Sequence, residues 1–213
     1  MNDNRNYDYG IYPEEKRPEY DIIAAWVPRG ATVVDLGCGN GALMQLLQSA
    51  KQCSSYGIEL SDSGVKACRQ KGLQVQQGSI DSELPFPDDS FDIAICNVTI
   101  QMVLYPEILL KEMKRVSRRQ IISFPNFAYF KNRLDLLLNG RMPRQLLFGY
   151  KWYNTGHIHQ CSVKDFHELV KETGGLGITR REAVPVGFAL LDRMGKWMPN
   201  LFSKVVIIET VKN

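Results

Sequence analysis

Two carboxylates and a run of glycines are the residues of this chain whose types and spacing best suit a chemical role. Asp35 stands near the end of an apolar, β-branched run, and Gly37, Gly39 and Gly41 follow it at alternate positions. Glu59 ends the next run of this kind. Glycines permit a turn with positive φ and let a ligand approach the backbone closely. The pattern therefore predicts a binding site for a nucleotide-like ligand between two acids.

The glycine spacing separates two classes of nucleotide-like ligand. A dinucleotide-binding turn has the spacing G-x-G-x-x-G and places a pyrophosphate on the N-terminus of the following helix. Here the third glycine comes one residue too early. Asp35 would repel a pyrophosphate but would suit a cationic amino-acid group, and Glu59 stands where an acid accepts both hydroxyls of a ribose. The residues therefore predict a nucleoside ligand that carries a cation.

The hydrophobic pattern predicts the elements that position these residues. Apolar runs that favour strands alternate with amphipathic stretches that favour helices, and the last two strands are close enough to form a hairpin. This order predicts a doubly wound, Rossmann-like α/β fold, with a seven-stranded, mostly parallel sheet and an antiparallel edge hairpin. The predicted strands are 32–36, 55–60, 73–76, 91–96, 120–124, 178–184 and 202–211.

Length and composition limit the class of protein. With 213 residues and 44% hydrophobic residues, the chain has enough material for one globular domain with a sizeable core. Its net charge of +3 is too small to indicate nucleic-acid binding. It has no apolar run that would span a membrane and no signal-peptide pattern, so we expect a cytoplasmic protein. Five scattered cysteines without a C-x-x-C motif indicate reduced thiols.

Three segments differ in character. Residues 1–16 are polar and unpatterned, which predicts a flexible N-terminal tail, and residues 17–213 form a single predicted domain. Residues of about 141–158 form a long aromatic-rich loop, which is typical of a lid or a partner surface. His157 and His159 follow, flanking Ile158 on one face of a predicted extended segment. With no fourth ligand evident, we predict no metal site and expect His159 to be structural or to line a substrate pocket.

The glycine turn and the two acids resemble motif I and the acidic loop of the class I S-adenosylmethionine-dependent methyltransferases. The stretch LPFPDDSFD, which leads into the fourth predicted strand, also resembles that superfamily. The resemblance implies that S-adenosylmethionine or S-adenosylhomocysteine is the cofactor. The residues expected to bind it are Asp35, Gly37, Cys38, Gly39, Glu59, Leu60, Ser79, Ile80 and Asn97.

Two of these positions leave alternatives open. The superfamily commonly places an Asp where this chain has Ser79, and that Asp accepts the adenine amine. Either the Ser79 hydroxyl takes this role, or backbone N–H groups and the apolar Ile80 hold the adenine. Cys38 lies inside the glycine turn, where it either touches the ligand or fills space as a small packed residue.

Longer segments narrow the resemblance to one family. The segments SFPNF, GRMP and WYNTGHIHQCS, together with the glycine turn, resemble the methionine biosynthesis protein MetW family over about 17–184. The resemblance implies a methyltransferase-like fold in a cytoplasmic bacterial protein of methionine synthesis. It also implies association with the homoserine O-acyltransferase, the enzyme that activates homoserine.

Two functions from different classes therefore remain. In one, the chain binds S-adenosylmethionine or S-adenosylhomocysteine and supports the acyltransferase as a partner. In the other, it is an active methyltransferase on a small acceptor, with Tyr153, His157, His159 or Asn97 as a base or orienting group. The segment that begins at Asn97 reads N-V-T-I and lacks the tetrapeptide typical of amino-group methylation, which favours the partner function.

Overall fold

The computed structural model describes Tyr9, residues 17–144, Leu146 and residues 151–213. The strands are β1 (Thr32–Leu36), β2 (Ser54–Glu59), β3 (Gln74–Gln77), β4 (Phe91–Asn97), β5 (Ser117–Pro125), β6 (Leu176–Ala183) and β7 (Val205–Lys212). The helices are α1 (Pro18–Trp26), α2 (Ala42–Lys51), α3 (Asp62–Gln70), α4 (Pro106–Val116), α5 (Phe130–Asn139), α6 (Val163–Thr173), α7 (Ala189–Trp197) and α8 (Pro199–Phe202). Within the described ranges, no helix has the length and apolarity that crossing a membrane requires.

The strands form a seven-stranded sheet in the order β3-β2-β1-β4-β5-β7-β6. The first five strands run parallel, and β7 lies antiparallel between β5 and β6. This confirms the predicted α/β fold with an antiparallel edge. The edge pair is joined by residues 184–204, which contain two helices that the sequence did not predict.

Helices cover both faces of the sheet, because strand side chains alternate between faces. In β1, Val34 packs in the core that lies beneath α4 and α6, whereas Val33 packs in the core beneath α1 and α2. Both valines are fully buried. Each side chain of this size contributes roughly 1.5–3 kcal/mol when it is removed from water.

Local signals fix several helix ends as predicted. The Ser61 hydroxyl accepts from the Gly64 N–H and caps α3, and Ser162 forms a capping box with Asp165 at the start of α6. The amphipathic pattern also predicts a helix over about 127–138, and this helix begins later, at Phe130, because Asn126 is held by the chain around α8. The Asn126 backbone N–H donates to the Lys204 carbonyl and its side-chain amide donates to the Ser203 carbonyl.

The parallel strands end at one edge of the sheet, where such folds bind ligands. The glycine turn follows β1 at this edge, and α5 follows β5. Because β7 runs antiparallel to β5, with Val205 opposite Pro125, the 184–204 connection lies at this edge as well. The fold therefore gathers the predicted site and three helices, α5, α7 and α8, on one side of the molecule.

Candidate functional site

The glycine turn needs its glycines for both conformation and packing. Gly37, Gly39 and Gly41 have φ values of +78°, +56° and +76°, a region that residues with side chains rarely adopt. A Cβ on Gly41 would lie 2.3 Å from Leu73 Cδ1, and a Cβ on Gly37 would lie 2.6 Å from Thr99 Cγ2. The turn thus packs closely against α3, its following loop and the end of β4.

Most backbone donors of the turn are already used inside the protein. Five N–H groups donate to acceptors of the chain, and they belong to Gly37, Cys38, Gly39, Gly41 and Ala42. A pyrophosphate site requires such groups to point at the ligand. The arrangement therefore favours a ligand that is held by side chains at the mouth of the turn over a dinucleotide.

Asp35 is buried at the point where the sheet meets the glycine turn. Its backbone lies between Gly57 of β2 and Ile95 of β4, and 2% of the residue is exposed. Burial, together with the smaller effect of the neighbouring charge of Glu59, raises the pKa of Asp35 to about 7. A buried carboxylate near a second acid is stabilised when a cation reaches it, so this side chain suits the ammonium group of an amino acid.

Glu59 is held by three donors from its own chain. Its Oε2 accepts from the Gly39 N–H at 2.8 Å, while its Oε1 accepts from the Ser61 N–H at 2.9 Å and from the Ser61 hydroxyl at 2.8 Å. A carboxylate has about four acceptor sites. Glu59 therefore links the turn to α3, and a ribose would use its remaining site or replace the Ser61 hydroxyl.

The end of β4 contacts the glycine turn directly. The Thr99 side chain fills the space next to Gly37, and its hydroxyl donates to the Asn97 carbonyl at 3.0 Å. The Asn97 side-chain oxygen accepts from the Ser123 hydroxyl of β5. Val98 has a φ of +57°, which is strained for a β-branched residue and often marks a functional site. The sequence identified Asn97 but gave no sign of Val98 or Thr99.

In the segment predicted to hold adenine, the Ser79 hydroxyl bonds to a neighbouring side chain of the same segment. The exposed Ser79 hydroxyl donates to the Asp81 carboxylate, and Asp81 also accepts from the N–H groups of Leu104 and Tyr105. Hydrogen bonds from this hydroxyl and these N–H groups keep the pKa of Asp81 below its ordinary value despite burial, which acts in the opposite direction. Ile80 is buried, and Leu60 is half-exposed. Of the two alternatives, apolar and backbone contacts fit this geometry better than acceptance by Ser79.

Cys38 is packed beneath the turn. Its Sγ lies 3.9 Å from Cys68 Sγ, and a Cβ on Gly57 would lie 2.6 Å from Cys38 Sγ. The hydrogen bond to Cys68 and burial both raise the pKa of Cys38, so the thiol stays neutral. The geometry therefore favours the space-filling alternative over contact with a ligand.

Tyr9 is a site neighbour that the sequence did not indicate. A Cβ on Gly39 would lie 3.1 Å from the Tyr9 ring, and the Tyr9 N–H donates to the Ser63 hydroxyl at 3.5 Å. The tail predicted for residues 1–16 otherwise lies outside the described residues, and so do residue 145 and residues 147–150 of the predicted lid.

The candidate bases come from two places: Asn97 ends β4, and Tyr153, His157 and His159 lie in the segment before α6. Tyr153 and His159 are exposed, and His159 Nε2 lies 3.2 Å from the Leu104 carbonyl. His157 is buried, with its Nδ1 hydrogen-bonded to the Thr155 hydroxyl at 2.9 Å. The expectation of two histidines on one face was wrong, because this segment is a series of turns and bends. No group of three potential metal ligands occurs among the described residues.

Comparisons with known proteins agree with this geometry. The family model for methionine biosynthesis protein MetW matches residues 17–210. The bifunctional methionine biosynthesis protein MetXA/MetW of Rhodopirellula baltica is 35% identical over 160 residues, which are 70% of this chain and 26% of that protein. The chain thus spans about a quarter of this relative.

Solved structures of methyltransferases share the fold. A possible histamine N-methyltransferase from Thermotoga maritima superposes with a TM-score of 0.63 at 19% identity, covering 92% of this chain and 88% of its own. Magnesium protoporphyrin IX methyltransferase from Synechocystis, solved with bound S-adenosylhomocysteine, has a TM-score of 0.63 at 20% identity, with coverage of 92% and 82%. With its glycine turn, its sheet order and the match over 17–210, the chain belongs to the methionine biosynthesis protein MetW family.

Proposed function

We propose that this chain binds S-adenosylmethionine or S-adenosylhomocysteine at the glycine turn and acts as a partner of a homoserine O-acyltransferase. Membership of the MetW family places the chain in methionine biosynthesis. The identity of the ligand and the identity of the partner are what we propose beyond this membership.

The observation that carries the cofactor proposal is the buried Asp35 at the mouth of the turn. Its raised pKa of about 7 reflects a carboxylate that lacks the solvation it needs to ionise. The ammonium group of an adenosyl amino acid would supply the missing positive charge. Glu59 stands beside it on the next strand, where one acceptor site is left for a ribose hydroxyl.

The partner proposal is supported by the relative that carries MetXA and MetW in one chain. Fusion keeps two units at a high effective concentration, which benefits units that work together. Because S-adenosylmethionine is made from methionine, binding it would report the pathway's output to an early enzyme. Thermodynamic reciprocity then requires the acyltransferase to change the ligand affinity by the same factor as the ligand changes acyltransferase affinity.

The alternative is an active methyltransferase on a small acceptor. The fold of the solved methyltransferases favours it, since methyl transfer mainly requires alignment and exclusion of water. The side chains proposed as bases do not support it. Tyr153 and His159 are exposed, His157 is enclosed by its own chain, and the side-chain oxygen of Asn97 is engaged by the Ser123 hydroxyl.

The test is to measure ligand affinity by calorimetry with and without the cognate acyltransferase. We expect binding of S-adenosylmethionine or S-adenosylhomocysteine to the chain alone, and an affinity that changes at least several-fold when the acyltransferase is added. Ligand binding without any effect of the acyltransferase would contradict the regulatory role. Transfer of labelled methyl groups to acceptors in a cell extract would favour the enzyme instead.

A further inference from the structure

Three helices at the site edge bury very little of this chain's own apolar surface. In α5 the single buried residue is Asn132, in α7 it is Gly195, and α8 has none. By contrast, α4 buries four apolar residues in the core. Amphipathic helices gain most of their stability by packing an apolar face. These helices therefore expose a face that this chain leaves largely uncovered in its described part.

Most of the exposed apolar residues fall on one side of each helix, and Leu136 of α5 is the exception. Leu134, Leu137 and Leu138 share a face of α5, and Leu137 is 78% exposed. In α7, Leu190, Met194 and Trp197 recur at helical spacing, and Trp197 is 85% exposed. These three residues, with Arg193 and Met198, line a groove of about 340 Å³.

Contacts through α8 bring the two helices together. The Phe130 ring at the start of α5 lies 5.7 Å from the Phe202 ring of α8, and Arg133 donates to the Asn200 carbonyl at 3.1 Å. On the other side, the Ser203 hydroxyl donates to the Gly195 carbonyl of α7 at 3.3 Å. We call these two apolar faces, which α8 links, the α5–α7 surface, and it comprises Leu134, Leu137, Leu138, Leu190, Trp197 and Met198.

The charge around the α5–α7 surface limits what can cover it. Residues 130–144 and 188–204 contain seven Lys and Arg against two Asp, a net charge of +5, whereas the whole chain carries +3. The two Asp are engaged locally, since Asp135 pairs with Arg144 and Asp192 accepts from the Val186 N–H. Two copies of the same basic face would repel each other. The basic residues around the α5–α7 surface instead complement a partner protein whose apolar patch is bordered by Asp and Glu.

We propose that the α5–α7 surface is the docking site of the acyltransferase, which presents an apolar side chain to the α7 groove and carboxylates to the rim. This inference rests on the proposed partnership and adds the place of contact. The surface lies at the same edge as the glycine turn, so a docked partner would sit beside the proposed ligand. The relative that carries MetXA and MetW in one chain favours a protein partner over a membrane as the occupant of this surface.

The test measures affinity between the purified chain and the cognate acyltransferase. Leu190→Glu and Trp197→Glu should each weaken binding at least tenfold. Each places a carboxylate among apolar groups and opposite the carboxylates that we expect on the acyltransferase. Ile178→Glu is the control, since Ile178 is a partly exposed apolar residue near the start of the edge strand β6, at the end of the sheet away from the glycine turn and the α5–α7 surface. We expect the control to bind like the unmodified chain. Unchanged thermal unfolding would show that the variants fold.

The outcomes separate this inference from the proposed function. If the unmodified chain and both variants bind the acyltransferase equally, the partnership stands and the α5–α7 surface is excluded. If the unmodified chain does not bind the acyltransferase, the partnership itself fails. Self-association in sedimentation, or flotation with vesicles of anionic phospholipid, that is lost in the same two variants would assign the surface to a second copy or a membrane and overturn the inference.

Discussion

At the scale of single residues, the two acids of the site have different roles although they look equivalent in the sequence. Glu59 accepts hydrogen bonds from three donors of its own chain, and Asp35 is buried with a pKa raised to about 7. Spacing identified both residues. The difference in their surroundings depends on the donors of Ser61 and on the depth of Asp35 in the sheet, which only the folded structure shows.

The raised pKa of Asp35 predicts how ligand binding depends on pH. Below about pH 7 the carboxyl is protonated in the free protein, and a neutral acid offers little attraction to an ammonium group. Affinity for S-adenosylmethionine should therefore fall as pH drops, approaching about tenfold per pH unit well below the pKa. Calorimetry between pH 5.5 and 8 checks this. Asp35→Asn should bind weakly with little change over this range, and a wild-type profile that is flat would contradict the assignment.

The third glycine of the turn gives a second test at this scale. Gly41→Ala combines a φ of +76° with a Cβ only 2.3 Å from Leu73 Cδ1 and 2.9 Å from Cys68 Sγ, so these buried side chains or α2 must shift. Gly72→Ala is the matched control, because it has a φ of +71° and nothing within 4 Å of its Cβ. We expect the control to lose about 1 kcal/mol of unfolding free energy from the left-handed backbone alone. Gly41→Ala should lose about 1–3 kcal/mol more, measured by urea unfolding.

At the scale of elements, the sequence predicts best where apolar side chains face the core. All seven strands were expected close to their observed bounds. The five buried strands, β1, β2, β4, β5 and β7, are apolar runs bounded by turns, which is the clearest signal of a strand. The helices α7 and α8 were not predicted, because the sequence indicates only an apolar connection there, with exposed-looking aromatic and methionine side chains that suggest a partner surface. Their apolar residues lie on the outer face, so hydrophobicity there does not report the packing of this chain.

The start of α6 tests the local signals that the sequence supplied. The Ser162 hydroxyl accepts from the Asp165 N–H, and the Asp165 carboxylate accepts from the Ser162 N–H. Ser162→Ala should lower the free energy of unfolding by about 1 kcal/mol, because it removes the cap of a helix that packs on the core. Ser49→Ala is a suitable control, since the exposed Ser49 hydroxyl only donates to the Leu46 carbonyl within α2. It should change stability by less than about 0.5 kcal/mol.

At the scale of the whole molecule, the fold and the position of the site followed from the order of the elements. Parallel strands with a glycine turn after β1 place Asp35, Glu59 and Asn97 at one edge of the sheet. The order of the sheet also brings α5 and the 184–204 connection to that edge through the antiparallel β7. The sequence did not predict that α5 and the 184–204 connection lie at the same edge, because their positions depend on which strand lies between β5 and β6.

The central claim is that Asp35 recognises the cationic amino-acid end of an adenosyl ligand. The most direct measurement compares S-adenosylmethionine with 5′-methylthioadenosine, which lacks the amino-acid group, on the unmodified chain and on Asp35→Asn. We predict that Asp35→Asn weakens binding of S-adenosylmethionine at least tenfold and leaves the affinity for 5′-methylthioadenosine within twofold. Equal losses for both ligands, or no loss for either, would contradict the claim.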